Sequence, residues 1–282
     1  MDCLIPPEHI QATIVIPLRV QHDPWLEQSV LSALRQSVPT TVLVVRSEAT
    51  PLSNLSVLDR LSVSHPRLCV LCRPPGAGFA DAINLGFKEA ETERVGLLFS
   101  DDWLSPNAVE QCLPHQADIV STGIHAYGED GQQVLWKRIP EPRHYEQLSD
   151  HEARADYMSH FFLFRRSVVL AVGGVDSSIG LTGADDYDLI WTLLEWGASV
   201  NLLPTAMYHC RDHGGERLTL RAQDDQIRDL RKILSKHGVG QAETERLVAE
   251  KRKWYGAPCH VVIADPHWDQ PGRAMDSMDS GT

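Results

Sequence analysis

Residues 12–17, Ala-Thr-Ile-Val-Ile-Pro, form a β-branched apolar run closed by proline, the pattern of a buried strand. Residues 25–36 change period: Leu26, Val30, Ala33 and Leu34 recur at helical spacing. The alternation then repeats. Strand patterns at 41–45, 68–72 and 95–100 are each followed by a helical one, at 53–64, 78–91 and 105–115. The first of these helices is weakly patterned, with Leu55, Leu58 and Leu61 on one face. Three strand-then-helix units and a fourth strand predict a parallel sheet flanked by helices, and a doubly wound, nucleotide-binding type of half ending near residue 115.

Beyond that point the alternation breaks. Residues 117–122, 134–138 and 161–164 read as strands, with Gly128-Glu129-Asp130-Gly131 as a turn, while 140–158 is polar and carries no clear period. Gly173-Gly174-Val175-Asp176 reads as a second turn, and 185–196 as a helix stopped by Gly197. Residues 199–203 and 206–210 suit two short strands joined at Pro204. Two polar helices are expected at 218–236 and 241–254, then a loop-like stretch from 257 and a disordered tail over 275–282.

Composition narrows the class. A chain of 282 residues, 43% hydrophobic and 23% charged, is globular, and no apolar run approaches the ~20 residues that span a bilayer. A net charge of -12 argues against a nonspecific nucleic-acid binder. It also means that an anionic ligand needs a metal or a local basic cluster to offset repulsion. Residues 1–9 carry Asp2 and Glu8 and no apolar signal core, so a cytoplasmic chain is expected. Six scattered cysteines suit a reducing compartment. Cys69 and Cys72 stand three apart on a strand pattern, facing opposite sides, so zinc is not expected.

Three constellations carry chemistry. The run 95–99 stops at Ser100-Asp101-Asp102-Trp103. Carboxylates at the carboxyl end of a central strand face the crevice where α/β sheets bind ligands, and can hold a divalent cation that grips phosphates. The same acids, with Ser105-Pro106, also suit a turn that caps a helix. Next, Asp185-Asp186-Tyr187-Asp188 opens an amphipathic helix with more acid than capping requires. Repulsion among those acids calls for a cation or a proton, and a carboxylate so held suits a general base; a solvated helix start is the plainer reading. Third, Tyr208-His209-Cys210-Arg211-Asp212-His213-Gly214-Gly215 sets histidine beside a glycine loop, where His213 can ligate a metal or contact phosphate and Arg211 or Arg217 adds charge. His209, on a strand pattern, reads as structural. There is no dinucleotide G-x-G-x-x-G, no P-loop and no G-x-S-x-G. Trp191, Trp196 and Phe161-Phe162 suit either a sugar or lipid site or a core. Lys251-Arg252-Lys253-Trp254-Tyr255 allows membrane contact that is at most peripheral.

In order, these segments resemble the inverting glycosyltransferases of family 2, from about residue 12 to about 219. Thr13-Ile14-Val15-Ile16-Pro17 is similar to the family's opening strand, and Gly78, Ala82, Asn84 and Gly86 to its G-x-x-x-A-x-N-x-G. Ser100-Asp101-Asp102-Trp103-Leu104-Ser105-Pro106 resembles the end of its D-x-D region. Phe164-Arg165-Arg166 and Gly173-Gly174-Val175-Asp176 resemble its acceptor-side segment, and Asp185-Asp186-Tyr187-Asp188-Leu189 its E-D-x-D-L. The resemblance implies an α/β GT-A fold, Rossmann-like, with a mostly parallel central sheet flanked by helices. It implies a glycosyltransferase domain over 1–218 (donor half 12–115, acceptor half 116–218), a helical extension over 219–256 and a tail over 257–282.

It further implies a metal-dependent, inverting transfer of one sugar from a nucleotide sugar, UDP- or GDP-linked, to an acceptor hydroxyl. Asp101 and His213 would hold Mg²⁺ or Mn²⁺, Asp186 would be the catalytic base, and Asp185 and Asp188 supporting acids. Pro17, Glu48, Gly78, Asn84, Asp102 and Arg211 would bind the donor, with Trp103, Gly174 and Asp176 on the acceptor side. Two departures stand out. Phe99 occupies the place of the first D-x-D acid, and the second strand ends Val45-Arg46-Ser47-Glu48 where the family has nucleoside-holding acids. They motivate a rival reading, a non-catalytic GT-A-like binding or partner subunit; a metal-dependent nucleotidyltransferase comes third. The Q-x-x-R-W of processive members is absent after the base, which favours single-sugar transfer.

Overall fold

The computed structural model describes residues 10–179, 185–213 and 223–252. The expected alternation is there: β1 (Ala12–Leu18), α1 (Asp23–Leu34), β2 (Thr40–Arg46), α2 (Leu52–Ser64), β3 (Leu68–Cys72), α3 (Phe79–Glu89) and β4 (Arg94–Leu97). These four strands lie in the order β3-β2-β1-β4, all parallel. Their carboxyl ends therefore open on one crevice, the place where such sheets bind ligands.

The second half adds β5 (Trp103–Leu104), α4 (Ala108–Cys112), β6 (Ile119–Tyr127), β7 (Val134–Arg138), α5 (Pro142–Gln147) and α6 (His151–Tyr157). It continues with β8 (Phe162–Arg165), α7 (Arg166–Ala171), α8 (Asp185–Glu195), β9 (Val200–Arg211), α9 (Gln223–Lys236) and α10 (Gln241–Arg252). The sheet runs on from β4 through β8, β6 and β9 to β5, with β7 on β6. Strand β8 is antiparallel to both neighbours, whereas β6 and β9 are parallel, so the sheet is mixed but mostly parallel in its first half.

Side chains alternate across β1 and so feed two core layers. Ile14 and Ile16 pack with Leu26, Val30, Leu58 and Val109 from α1, α2 and α4. Val15 faces the opposite layer, with Ile83 and Phe87 of α3, Leu189 and Leu193 of α8, and Leu230 and Ile233 of α9. Gly86 is where α3 meets β1: a Cβ there would lie 2.3 Å from Val15 Cγ1. The polar helix α9 is thus amphipathic, burying Ile227, Leu230, Ile233 and Leu234 at helical spacing.

Three expectations need correction. The two strands expected at 199–203 and 206–210 are one, β9. Its register against β6 moves from Ser121↔Leu202 to Gly123↔Ala206, so two surplus residues bulge out around Pro204, which has no N–H for the ladder. The helix expected at 105–115 shrinks to α4, because Trp103 and Leu104 pair with β9 and the Ser105 N–H donates to Met207 O (2.9 Å). The strand expected at 95–100 ends at Leu97, the Leu98 N–H making a last bond to Val15 O (3.0 Å), and a turn follows at Ser100 and Asp101. The polar stretch without a period contains α5 and α6, whose start Asp150 caps by accepting from the Ala153 N–H. The expected tail and part of the 251–255 cluster lie outside the described residues, and no described helix is long and apolar enough to cross a membrane.

Candidate active site

The turn after β4 is held from across the sheet. Asp102, 5% exposed, accepts from the Tyr208 hydroxyl (2.6 Å) and from the Arg211 N–H (2.8 Å), both on β9. Burial, then the charge of Asp102, raises the Tyr208 phenol well above its usual pKa, so it stays a donor. The Arg211 guanidinium lies between the rings of Trp25 (5.1 Å) and Trp103 (4.9 Å). It donates to Asp101 O (3.2 Å), Glu129 O (2.6 Å) and Gln28 Oε1. Asp102 and Arg211, expected at the donor, are therefore the frame of the turn.

That frame leaves Asp101 facing outward. Its side chain is 20% exposed, and Oδ2 stands 3.0 Å from Nε2 of His213, which is 2% exposed and packed against Trp25 (4.5 Å between rings). The expected pair thus comes together across 112 residues of chain. Among the described residues no group of three or more His, Cys, Asp or Glu is placed to hold a metal. Asp101 and His213 could supply one oxygen and one nitrogen ligand, a set that fits an Mg²⁺ or Mn²⁺ taking its remaining ligands from phosphate and water.

The second acidic stretch opens α8. Residues two apart on a helix lie on nearly opposite faces, and the acids separate accordingly. Asp186 turns toward the crevice, 32% exposed, with Oδ2 3.0 Å from His160 Nε2 and another oxygen accepting the Tyr187 N–H (2.9 Å). Asp188, 1% exposed, turns away and binds Lys236 Nζ (2.7 Å) and His237 Nε2 (3.2 Å). The expected grouping of Asp188 with the base is corrected: it ties α8 to α9. The Asp185 side chain lies outside the described residues. Asp176 serves the same junction, accepting from the Ser178 N–H (2.9 Å) and pairing with Lys236 (3.1 Å).

His160 is the residue that sequence reasoning passed over. Its ring is edge-on to Phe99 (5.2 Å) and Phe162 (4.8 Å) and lies beside Tyr208 (5.1 Å). Phe99 in turn packs on Phe79 at the start of α3 (6.0 Å). A polar residue heading the apolar run 161–164 was the one local signal available.

Asn84 donates to Val175 O and accepts from the Val175 N–H, both at 2.8 Å. Gly174, at φ +75°, has no room for a side chain, since a Cβ would lie 2.2 Å from Asn84 Oδ1. These two residues thus lock each other. Gly78 heads α3, its N–H donating to Asp81 Oδ2 (2.5 Å). Pro17 is buried in β1 opposite Val45, and Glu48 is exposed just beyond β2. Trp103 stacks on His209 (5.3 Å) and packs on Tyr127 (4.9 Å).

Known proteins bear on this arrangement. The O-antigen biosynthesis protein RfbC of Myxococcus xanthus is 24% identical over 277 residues, 95% of this chain and 22% of that protein, so this chain spans about a fifth of that relative. The chondroitin synthase of Pasteurella multocida is 34% identical over 89 residues, 32% of this chain and 9% of that one. The crystal structure of S. aureus TarS 1-349 in complex with UDP has a TM-score of 0.60 at 16% identity, covering 86% of this chain and 70% of that one. The mannosyltransferase PcManGT of Pyrobaculum calidifontis, in complex with GDP-Man and Mn²⁺, has a TM-score of 0.60 at 18% identity, covering 90% and 73%. These likenesses show the GT-A type of α/β fold. The family model described as glycosyl transferase family 2 matches residues 13–173, more than half of the sequence, and the chain belongs to that family.

Proposed function

We propose that this chain is a glycosyltransferase that moves one sugar, with inversion, from a nucleotide-sugar donor to an acceptor hydroxyl. The carrying observation is a pair of part-exposed aspartates at the crevice, Asp101 and Asp186, each with a histidine at 3.0 Å. Asp186 takes the proton of the acceptor hydroxyl as its oxygen attacks the anomeric carbon from the face opposite the diphosphate. Asp101 and His213 would hold Mg²⁺ or Mn²⁺, which would supply positive charge to the departing diphosphate. Neighbouring structures bound to UDP, UDP-GlcNAc and GDP-Man support a UDP- or GDP-sugar donor, and the Mn²⁺ in one of them supports the metal.

Phe99 and Arg46 favour a second reading, a binding subunit without turnover. Phe99 is committed to Phe79 and His160, and Arg46 donates to Ser47 O (3.3 Å), leaving Glu48 as the nearby acid beyond β2. The deciding experiment incubates the protein with UDP- and GDP-sugars and Mn²⁺, with and without EDTA, and reads nucleoside diphosphate release. EDTA-sensitive release is expected. Absence of release, with or without donor binding, would move the assignment to the second reading, a binding or partner subunit, and release of pyrophosphate would mark a nucleotidyltransferase.

A further inference from the structure

We propose that His160 is the positioning residue of Asp186 and that Phe99 keeps it in that role; the proposal rests on the reading of Asp186 as base. The imidazole has one polar contact among the described residues, Nε2 to Asp186 Oδ2 at 3.0 Å. Its Nδ1 is buried, with no hydrogen-bond partner among the described residues. A proton on Nδ1 would be a buried, unsatisfied donor, so the favoured tautomer carries its proton on Nε2 and donates to Asp186. The carboxylate is then held at two points, by this imidazole and by the Tyr187 N–H (2.9 Å). Each oxygen keeps a lone pair for the acceptor's proton.

The imidazole is itself fixed by three rings. Phe99 and Phe162 meet it edge to face, and Tyr208 lies at 31° to it. Tyr208 is pinned by Asp102, so the orientation of the base traces back to the acidic turn after β4. The departure at Phe99 acquires a purpose. An aspartate there would offer the imidazole a second carboxylate and draw its proton from Asp186; phenylalanine offers only a ring edge.

The test uses the whole chain and hydrolysis of UDP-GlcNAc or GDP-Man, whichever turns over, with water as acceptor and UDP or GDP release as signal. In His160→Leu, kcat should fall about 10- to 100-fold while donor KM stays within about twofold. His160→Gln, whose amide nitrogen can reach the place of Nε2, should recover most of kcat. Unchanged kcat in His160→Leu overturns the proposal. So does an equal loss of kcat in the glutamine variant, which marks packing alone. Should the leucine variant not fold, His160→Asn decides, because its shorter amide falls short of Asp186: kcat matching that of the glutamine variant overturns the proposal. Asp186→Asn is run alongside, and if it hydrolyses donor like the wild type the base assignment itself fails. If the wild type hydrolyses neither donor, the crystal structure of His160→Gln or His160→Asn still decides. An Asp186 carboxylate that keeps its orientation in His160→Asn overturns positioning; one that turns in that variant and not in His160→Gln supports it.

Discussion

The turn after β4 and the start of α8 solve the same problem with different backbones. Each presents close-set aspartates, and each divides them between structure and crevice. In the turn, Asp102 is buried on Tyr208 and Arg211 while Asp101 faces His213. On the helix, Asp188 is buried on Lys236 and His237 while Asp186 faces His160. The turn separates neighbours by a local change of chain direction. The helix needs residues two apart, because only then do side chains diverge by roughly 200°. In both cases the buried acid holds the frame from which the exposed acid would act in the proposed reaction, so charge count alone does not single out a candidate residue.

The exposed aspartates should show the largest effects. Asp186→Asn should lower transfer by about 10³-fold, since general base catalysis contributes that order, while donor binding by calorimetry stays unchanged. Asp101→Asn should raise the Mn²⁺ needed for half-maximal turnover by on the order of 100-fold, with little change in melting temperature. A metal requirement that does not move would take Asp101 out of the metal site.

The buried members should answer in stability. Asp188→Asn breaks a pair with Lys236 and leaves buried His237 facing an amide, for a loss of about 3 kcal/mol in urea unfolding. Asp102→Asn keeps the shape but weakens two hydrogen bonds and should cost about 2 kcal/mol. If either variant loses activity at full stability, the division between frame and site breaks down for that stretch.

Much of the first half was legible because its information is local. Each strand from β1 to β4 carries its own apolar run, and each helix its own stripe, so order and parallel pairing follow from alternation. The failures come from long-range contacts. Pro204 looks like a strand end, yet β6 holds β9 through it by letting two residues bulge. His160 carries little local signature beyond heading an apolar run, since its contacts are Asp186, Phe99 and Tyr208. Asn84 and Gly174 were both singled out by resemblance, but nothing local says that they fill each other's space 90 residues apart. Adjacent acids give the same difficulty: the pattern marks Asp101 and Asp102 together, and only β9 decides which is buried.

The smallest effect concerns His209, which borders the same frame through Trp103. Its Nε2 meets Ser105 Oγ at 2.8 Å, Nδ1 is buried with no partner among the described residues, and the rings of Trp103, Tyr127 and His125 surround it. Burial, and then the charge of His125, pushes its pKa from 6.5 down to about 4. Unfolded, the same imidazole titrates near 6.5, so below that pH the unfolded chain binds the proton first and stability falls with pH. The loss accumulates between 6.5 and 4 and stops growing once the folded form is protonated too. Allowing for the ring's partial exposure, the share lost between pH 7 and pH 5 is about 1–2 kcal/mol. Urea unfolding of the wild type and His209→Phe at both pH values isolates it, because every other titrating group is common to the two. The wild type should lose that much more than the variant, and equal losses would mean that the imidazole is solvated and that the packing around Trp103 is looser than its ring contacts require.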